Sequence, residues 1–166
     1  MSNGKLINHD RLLSYFADHL NLIYCAKLHI VGKLPEMAEF ATFADLKYAI
    51  LETHEDIVRQ IARMNEIYKI LNNSYSAKNC ATTLGLIEDS FKAIAEKKDD
   101  PVLRDLSILF YMQNLESIEV SSFKILQMTA AVIKNDQISQ LITENFDEAK
   151  EDRKLLILIN AKYLIN

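Results

Sequence analysis

Residues 43–71 read FADLKYAILETHEDIVRQIARMNEIYKIL, and Phe43, Leu46, Ile50, His54, Ile57, Ile61, Met64, Tyr68 and Leu71 recur there in steps of three and four. A face that returns at this spacing, in a stretch free of Gly and Pro, predicts a long amphipathic helix whose one strongly polar seam residue is His54. Upstream, Leu13, Phe16, Leu20, Ile23, Ile30, Leu34 and Met37 form a second seam interrupted at Lys27, with Pro35 expected to bend its end. The short Ala41-Thr42 connection makes the two helices antiparallel neighbours. Downstream, polar residues 72–79 precede a shorter helix marked by Cys80, Leu84, Ile87, Phe91 and Ile94, and residues 96–101 read as a solvated turn with Pro101 opening the next helix. That helix runs to about Ile133 through Leu109, Met112, Glu116, Glu119, Phe123, Leu126 and Ala130. Lys134-Asn135-Asp136 ends it, and a last helix carries Ile138, Leu141, Ile142, Phe146, Leu155, Leu156 and Ile159. Four long helices and one short one predict an all-α bundle, a single domain over residues 1–166.

Composition agrees. The 166 residues hold 49% hydrophobic and 25% charged side chains but only 3 Gly and 2 Pro, too few turn-formers for a many-stranded fold. Nineteen basic against 23 acidic residues leave a net charge of −4, with no basic patch to neutralise phosphates, so no nucleic-acid partner is expected. The most apolar run, Leu155 to Ile159, is far shorter than the roughly 20 residues of a membrane helix, so no membrane partner is expected either. Cys25 and Cys80 form no CxxC pair, and the opening MSNGKLINHD has no apolar signal region, which points to a reducing, cytoplasmic setting.

The seams are polar at mid-length, where a bundle is normally driest. Lys27 breaks the first and His54 the second; Glu116 and Glu119, three apart on one face, break the third; Glu148 lies one heptad from Leu141 and Leu155, with Arg153 near the same stripe. Singly, such residues are usually a hydrogen-bonded histidine, a snorkelling lysine or exposed glutamates. Interruption of all four long helices at comparable depth calls for a common partner, because an unpaired buried charge costs several kcal/mol. Helical bundles hold two transition metals with such carboxylates and histidines.

In order and spacing, Tyr24-Cys25-Ala26, Leu34-Pro35-Glu36-Met37-Ala38, Glu52-Thr53-His54, Gly85-Leu86-Ile87-Glu88, Gln113-Asn114-Leu115-Glu116-Ser117-Ile118-Glu119 and Phe146-Asp147-Glu148-Ala149-Lys150 resemble the ferritin-like bacterial stress proteins of the YciE/YciF type. The resemblance implies a ferritin-like four-helix bundle with one additional short helix, able in other members to carry a carboxylate di-metal centre and tending to dimerise. Against that pattern, Lys27 and Leu51 stand where relatives carry Glu, Leu84 where an acid is frequent, and Ala149 and Arg153 where the last helix carries acids. His54, Glu116, Glu119 and Glu148 remain. Exchanging carboxylates for cations and apolar groups removes both metal ligands and compensating charge.

Two functions follow. In the first, the di-metal centre is lost, no cofactor is expected, and Lys27, Arg153, His54, Glu116, Glu119 and Glu148 form a buried ionic network in a stress-associated binding or structural protein. In the second, His54, Glu116, Glu119 and Glu148 hold iron, manganese or zinc in a remodelled site that acts as a metal buffer or oxidase. No nucleophilic triad, phosphate loop or HExxH motif supports any other enzyme class. A homodimer is expected, because Leu155 to Ile159, Ala161, Tyr163, Leu164 and Ile165 are apolar on more sides than one seam can bury.

Overall fold

In the computed structural model, which describes residues 7–165, the chain forms α1 (His9–Val31), α2 (Leu34–Phe40), α3 (Ala44–Ile70), α4 (Ala81–Ala95), α5 (Pro101–Ile133) and α6 (Asp136–Ile165). Residues 1–6 and 166, at the ends of the expected domain, lie outside the described residues. Six helices replace the expected five because the first does not bend at Pro35. It stops at Val31, and α2 starts with Pro35 in its first turn, where a missing N–H costs no hydrogen bond.

Local chemistry sets the other boundaries. Asp100 caps α5 by accepting from the Leu103 N–H at 3.0 Å, and Pro101 follows it. Lys134 takes a left-handed conformation (φ 60°) that ends α5, and the Asn135 side chain accepts from the Ile138 N–H at 3.0 Å at the start of α6. α3 has no side-chain cap of its own. Asp105, fully buried on α5, serves instead: one of its oxygens accepts from the Thr42 N–H (2.7 Å), the Thr42 hydroxyl (2.6 Å) and the Phe43 N–H (2.6 Å).

The long helices close a ring in which α1 packs on α3, α3 on α6, α6 on α5 and α5 on α1. Each adjacent pair is antiparallel. Tyr24 donates to Asn65 and Tyr68 to Asn21 between α1 and α3, while Gln127 meets Thr143 and Gln113 meets Asn160 between α5 and α6. The link from α3 to α5 must therefore cross the length of the bundle, and α4, packed on α1 and α5, lies on that crossover. One long crossover is the connectivity of ferritin-like bundles.

Seam residues bury into two hydrophobic clusters. One gathers Ile30, Leu34, Ile50, Ile57, Leu109 and Leu156; the other gathers Phe16, Leu20, Met64, Ile67, Phe123 and Ile142. The polar residues of mid-bundle lie between them.

Asp105 ties the α2–α3 corner to α5 through three hydrogen bonds to one carboxylate oxygen. Since bonds to a charged group contribute roughly 1.5–3 kcal/mol each and orphaned donors cost more, Asp105→Ala is expected to destabilise by about 3 kcal/mol or more in urea unfolding, against about 1 kcal/mol for Asp100→Ala at its exposed cap.

Candidate functional site

The centre of the bundle is built from seam positions that carry polar side chains. On α1 the buried residues Phe16, Leu20, Ile23, Lys27 and Ile30 follow one another in steps of three and four, so Lys27 is a core position by helix geometry, and it is 0% exposed. On α5 the same spacing carries Met112, Glu116, Glu119, Phe123 and Leu126 into the core. On α3 the buried line is Leu46, Ile50, Thr53, Ile57, Gln60, Met64 and Ile67; on α6 it is Ile142, Asn145, Ala149, Asp152, Leu156 and Ile159. One layer thus holds an ammonium, three carboxyl groups, two amides and a hydroxyl.

Its pivot is the ion pair between the Lys27 ammonium and Glu119, with both side chains buried. The ammonium also lies 5.6 Å from the centre of the Phe123 ring. Burial disfavours the charge on Lys27, but Glu119 and Glu116 outweigh it and raise its pKa above the ordinary value. Glu116 behaves in the opposite way to an exposed glutamate. Burial, reinforced by Glu119 and only partly offset by Lys27, raises its pKa well above the ordinary carboxylate value. Asp152 is pushed up to about 7, first by burial, against the pull of Lys27, and further by Glu119, Glu52 and Glu148. Thr53 Oγ1, both polar atoms of the Gln60 amide, Glu116 Oε2, Glu119 Oε1 and Asp152 Oδ2 are buried without a hydrogen-bond partner among the described residues.

Of the six residues expected in one network, Lys27, Glu116 and Glu119 come together. The other three stand apart. His54 is only partly buried, one residue past the seam position Thr53, and makes no hydrogen bond or ion pair among the described residues. Arg153 is also partly buried and unpaired among them, because the α6 seam passes through Asp152. Glu148 forms a separate cluster at the α3–α6 edge, where Arg63 grips both its oxygens (2.7 and 2.9 Å), reaches Asn145 Oδ1 at 3.2 Å and Glu144 at 2.8 Å. Burial opposes the Glu148 charge, yet the Arg63 hydrogen bonds outweigh it and keep its pKa below the ordinary range. Leu51 is 40% exposed, so a carboxylate there would face away from the layer. Asp152 and Arg63 were not singled out from sequence; the strict three-and-four spacing Asn145, Ala149, Asp152, Leu156 was the available signal for the first, and nothing local marked the second.

This donor set does not fit a carboxylate di-metal centre. No histidine lies in the buried layer, the Lys27 ammonium stands against Glu119, and among the described residues no three His, Cys, Asp or Glu side chains converge as metal ligands would. Cys25 and Cys80 are both free and buried.

Asp152 gives the layer a definite pH signature. Its folded pKa near 7 exceeds the unfolded value of about 3.9, so the stability gained by holding that proton is fully present below about pH 4 and is lost as pH rises towards about 7. Asp152→Asn removes this dependence. It is expected to be more stable than the wild type by roughly 2–4 kcal/mol near pH 8 and to lose the advantage near pH 4, as read from urea midpoints across the range.

A family model described as "Domain of unknown function (DUF892)" matches residues 11–163. Among solved structures, YcfI from Rhodopseudomonas palustris, described as "a putative structural protein", superposes with a TM-score of 0.80 at 27% identity, covering 95% of this chain and 98% of its own. The E. coli stress protein YciF superposes with a TM-score of 0.85 at 20% identity, covering 93% and 98%. No curated protein matches. The resemblance to YciE/YciF-type proteins is borne out, and the chain belongs to the DUF892 family.

Proposed function

We propose that this protein is a stress-associated binding or structural bundle in which the buried Lys27 ammonium supplies the positive charge that two metal ions bring to ferritin-like relatives. The Lys27–Glu119 pair, buried between the two hydrophobic clusters, carries the reading. A cation at the middle of the layer repels divalent ions, and burial disfavours the charged form of Glu116 that a metal would need. The description of YcfI as a structural protein supports the structural side of the proposal, and that of YciF its stress association. A second reading, a metal buffer or oxidase for iron, manganese or zinc, draws on the orphaned oxygens of Glu116, Glu119 and Asp152.

The same protein is proposed to pair with a second copy of itself. The C-terminal helix does expose Ile157, Leu158, Leu164 and Ile165, but a longer stripe lies on α5. Leu103, Phe110, Ile118, Ile125, Met128 and Val132 are exposed on one line along it, opposite the buried face that carries Glu116 and Glu119. A helix apolar on two opposite faces has one face to spare for a partner. An isologous contact of α5 with its own copy covers that stripe.

Protein purified without chelator is expected to contain no stoichiometric metal and to release no binding heat with Fe(II), Mn(II) or Zn(II), while eluting as a particle of twice 19.0 kDa by light scattering. Lys27→Glu combined with Thr53→Glu, both at seam positions, is expected to acquire metal affinity. Stoichiometric metal in the wild type, lost on Glu116→Gln, would establish the metalloprotein reading instead, and a 19.0 kDa particle would exclude the dimer.

A further inference from the structure

A cavity of about 510 Å³ opens between α2, α4 and α5, away from the polar layer: on α5 its lining ends at Ile108, about 12 Å along the helix from Glu116. That volume falls in the ordinary range for small-molecule sites, roughly 300–1,000 Å³. Its walls are apolar, built from Met37 and Phe40 on α2, Phe91 and Ile94 on α4, and Ile108 on α5. Three cations, Lys33, Lys98 and Arg104, line it with them, against one carboxylate, Glu36. The lining itself is therefore net positive in a chain of net charge −4, with Glu88 and Asp105 just outside it paired to Lys33 and Arg104.

Internal pairs take up part of this charge, on Lys33 through Glu88 and on Arg104 beside Asp105, but not that of Lys98. Lys98, exposed in the turn after α4, makes no ion pair among the described residues. Arg104 is held in place by donating to the Phe40 carbonyl, with its guanidinium 6.0 Å from the Phe40 ring centre, but its Nε has no hydrogen-bond partner. The nearest carboxylate oxygen, Asp105 Oδ1, is 3.8 Å away, and the other oxygen of Asp105 is committed to Thr42 and Phe43. Lys33 touches Glu88 at 3.2 Å and lies 5.0 Å from the Phe91 ring centre, so part of its charge sits over the apolar wall. Phe40, at the rim, is 53% exposed, so its ring offers apolar surface at the cavity mouth.

We propose that this cavity binds a small amphipathic monoanion, an aliphatic carboxylic acid whose chain lies against Phe40, Phe91 and Ile108 and whose carboxylate meets Lys98 and Arg104. Apolar walls supply affinity for the chain, and Lys98, with no ion-pair partner among the described residues, acts with Arg104 to select the anion over an alcohol or amine of the same length. The inference is independent of the fate of the metal site, since none of the lining residues belongs to the polar layer.

The probe is decanoate, titrated into the full chain by calorimetry, with decanol and decylamine as matched controls. Saturable binding of one decanoate per chain is expected, with decanol and decylamine at least about tenfold weaker. Lys98→Glu and Glu36→Lys alter exposed side chains and leave the core intact. The first is expected to weaken decanoate binding about fivefold and the second to strengthen it by a similar factor. Ala95→Trp, an exposed position on the cavity wall, is expected to abolish binding by filling the space. Absence of saturable binding, equal affinity for decanol, or indifference to both charge changes would overturn the proposal.

Discussion

An ammonium group with no exposed surface between two hydrophobic clusters persists only against a carboxylate, and the Lys27–Glu119 pair meets that requirement at the point where α1 and α5 face each other. Much else in the core follows from it. The pair lies between the cluster around Ile50 and Leu109 and the cluster around Leu20 and Phe123, and ties α1 to α5 at that height. The other polar seam residues occupy the same layer, where their cost is smallest.

Neutrality in this layer is reached with protons rather than with additional cations. Lys27 balances Glu119; burial and Glu119 favour the protonated form of Glu116; Asp152 sits near its midpoint at neutral pH. The layer therefore has no need of His54 or Arg153. A metal pair would demand the reverse, ionised carboxylates with the ammonium removed. Arg63 and Glu148, at the partly exposed α3–α6 edge, form a bidentate pair of their own that touches the centre through Asn145 and the field of Glu148 on Asp152.

The bundle was legible in the sequence because three-and-four spacing is strict on α1 and α5, and on those two helices the polar interruptions Lys27, Glu116 and Glu119 lie on the buried face. On α3 and α6 the apolar stripes are wide, with Ile57, Val58 and Ile61 on one and Leu155, Leu156, Ile157 and Leu158 on the other, so the centre of the buried arc could be drawn one residue off. One residue is 100° of rotation. That step turned Thr53 into His54 and Asp152 into Arg153 as the inferred core residues. The pairing of Arg63 with Glu148 was invisible because it depends on the relative height of two helices far apart in sequence. Likewise, the break at Gly32 and Lys33 left no mark in a periodicity that α2 resumes in phase at Leu34 and Met37.

The central claim is that Lys27 and Glu119 act as one unit on which the core depends, and a double-mutant cycle tests it directly. Urea unfolding of Lys27→Met, Glu119→Gln and the double variant is expected to show each single change destabilising by about 3–5 kcal/mol and the double variant recovering about 2 kcal/mol or more of their sum. Additivity of the two changes within about 0.5 kcal/mol would contradict the account.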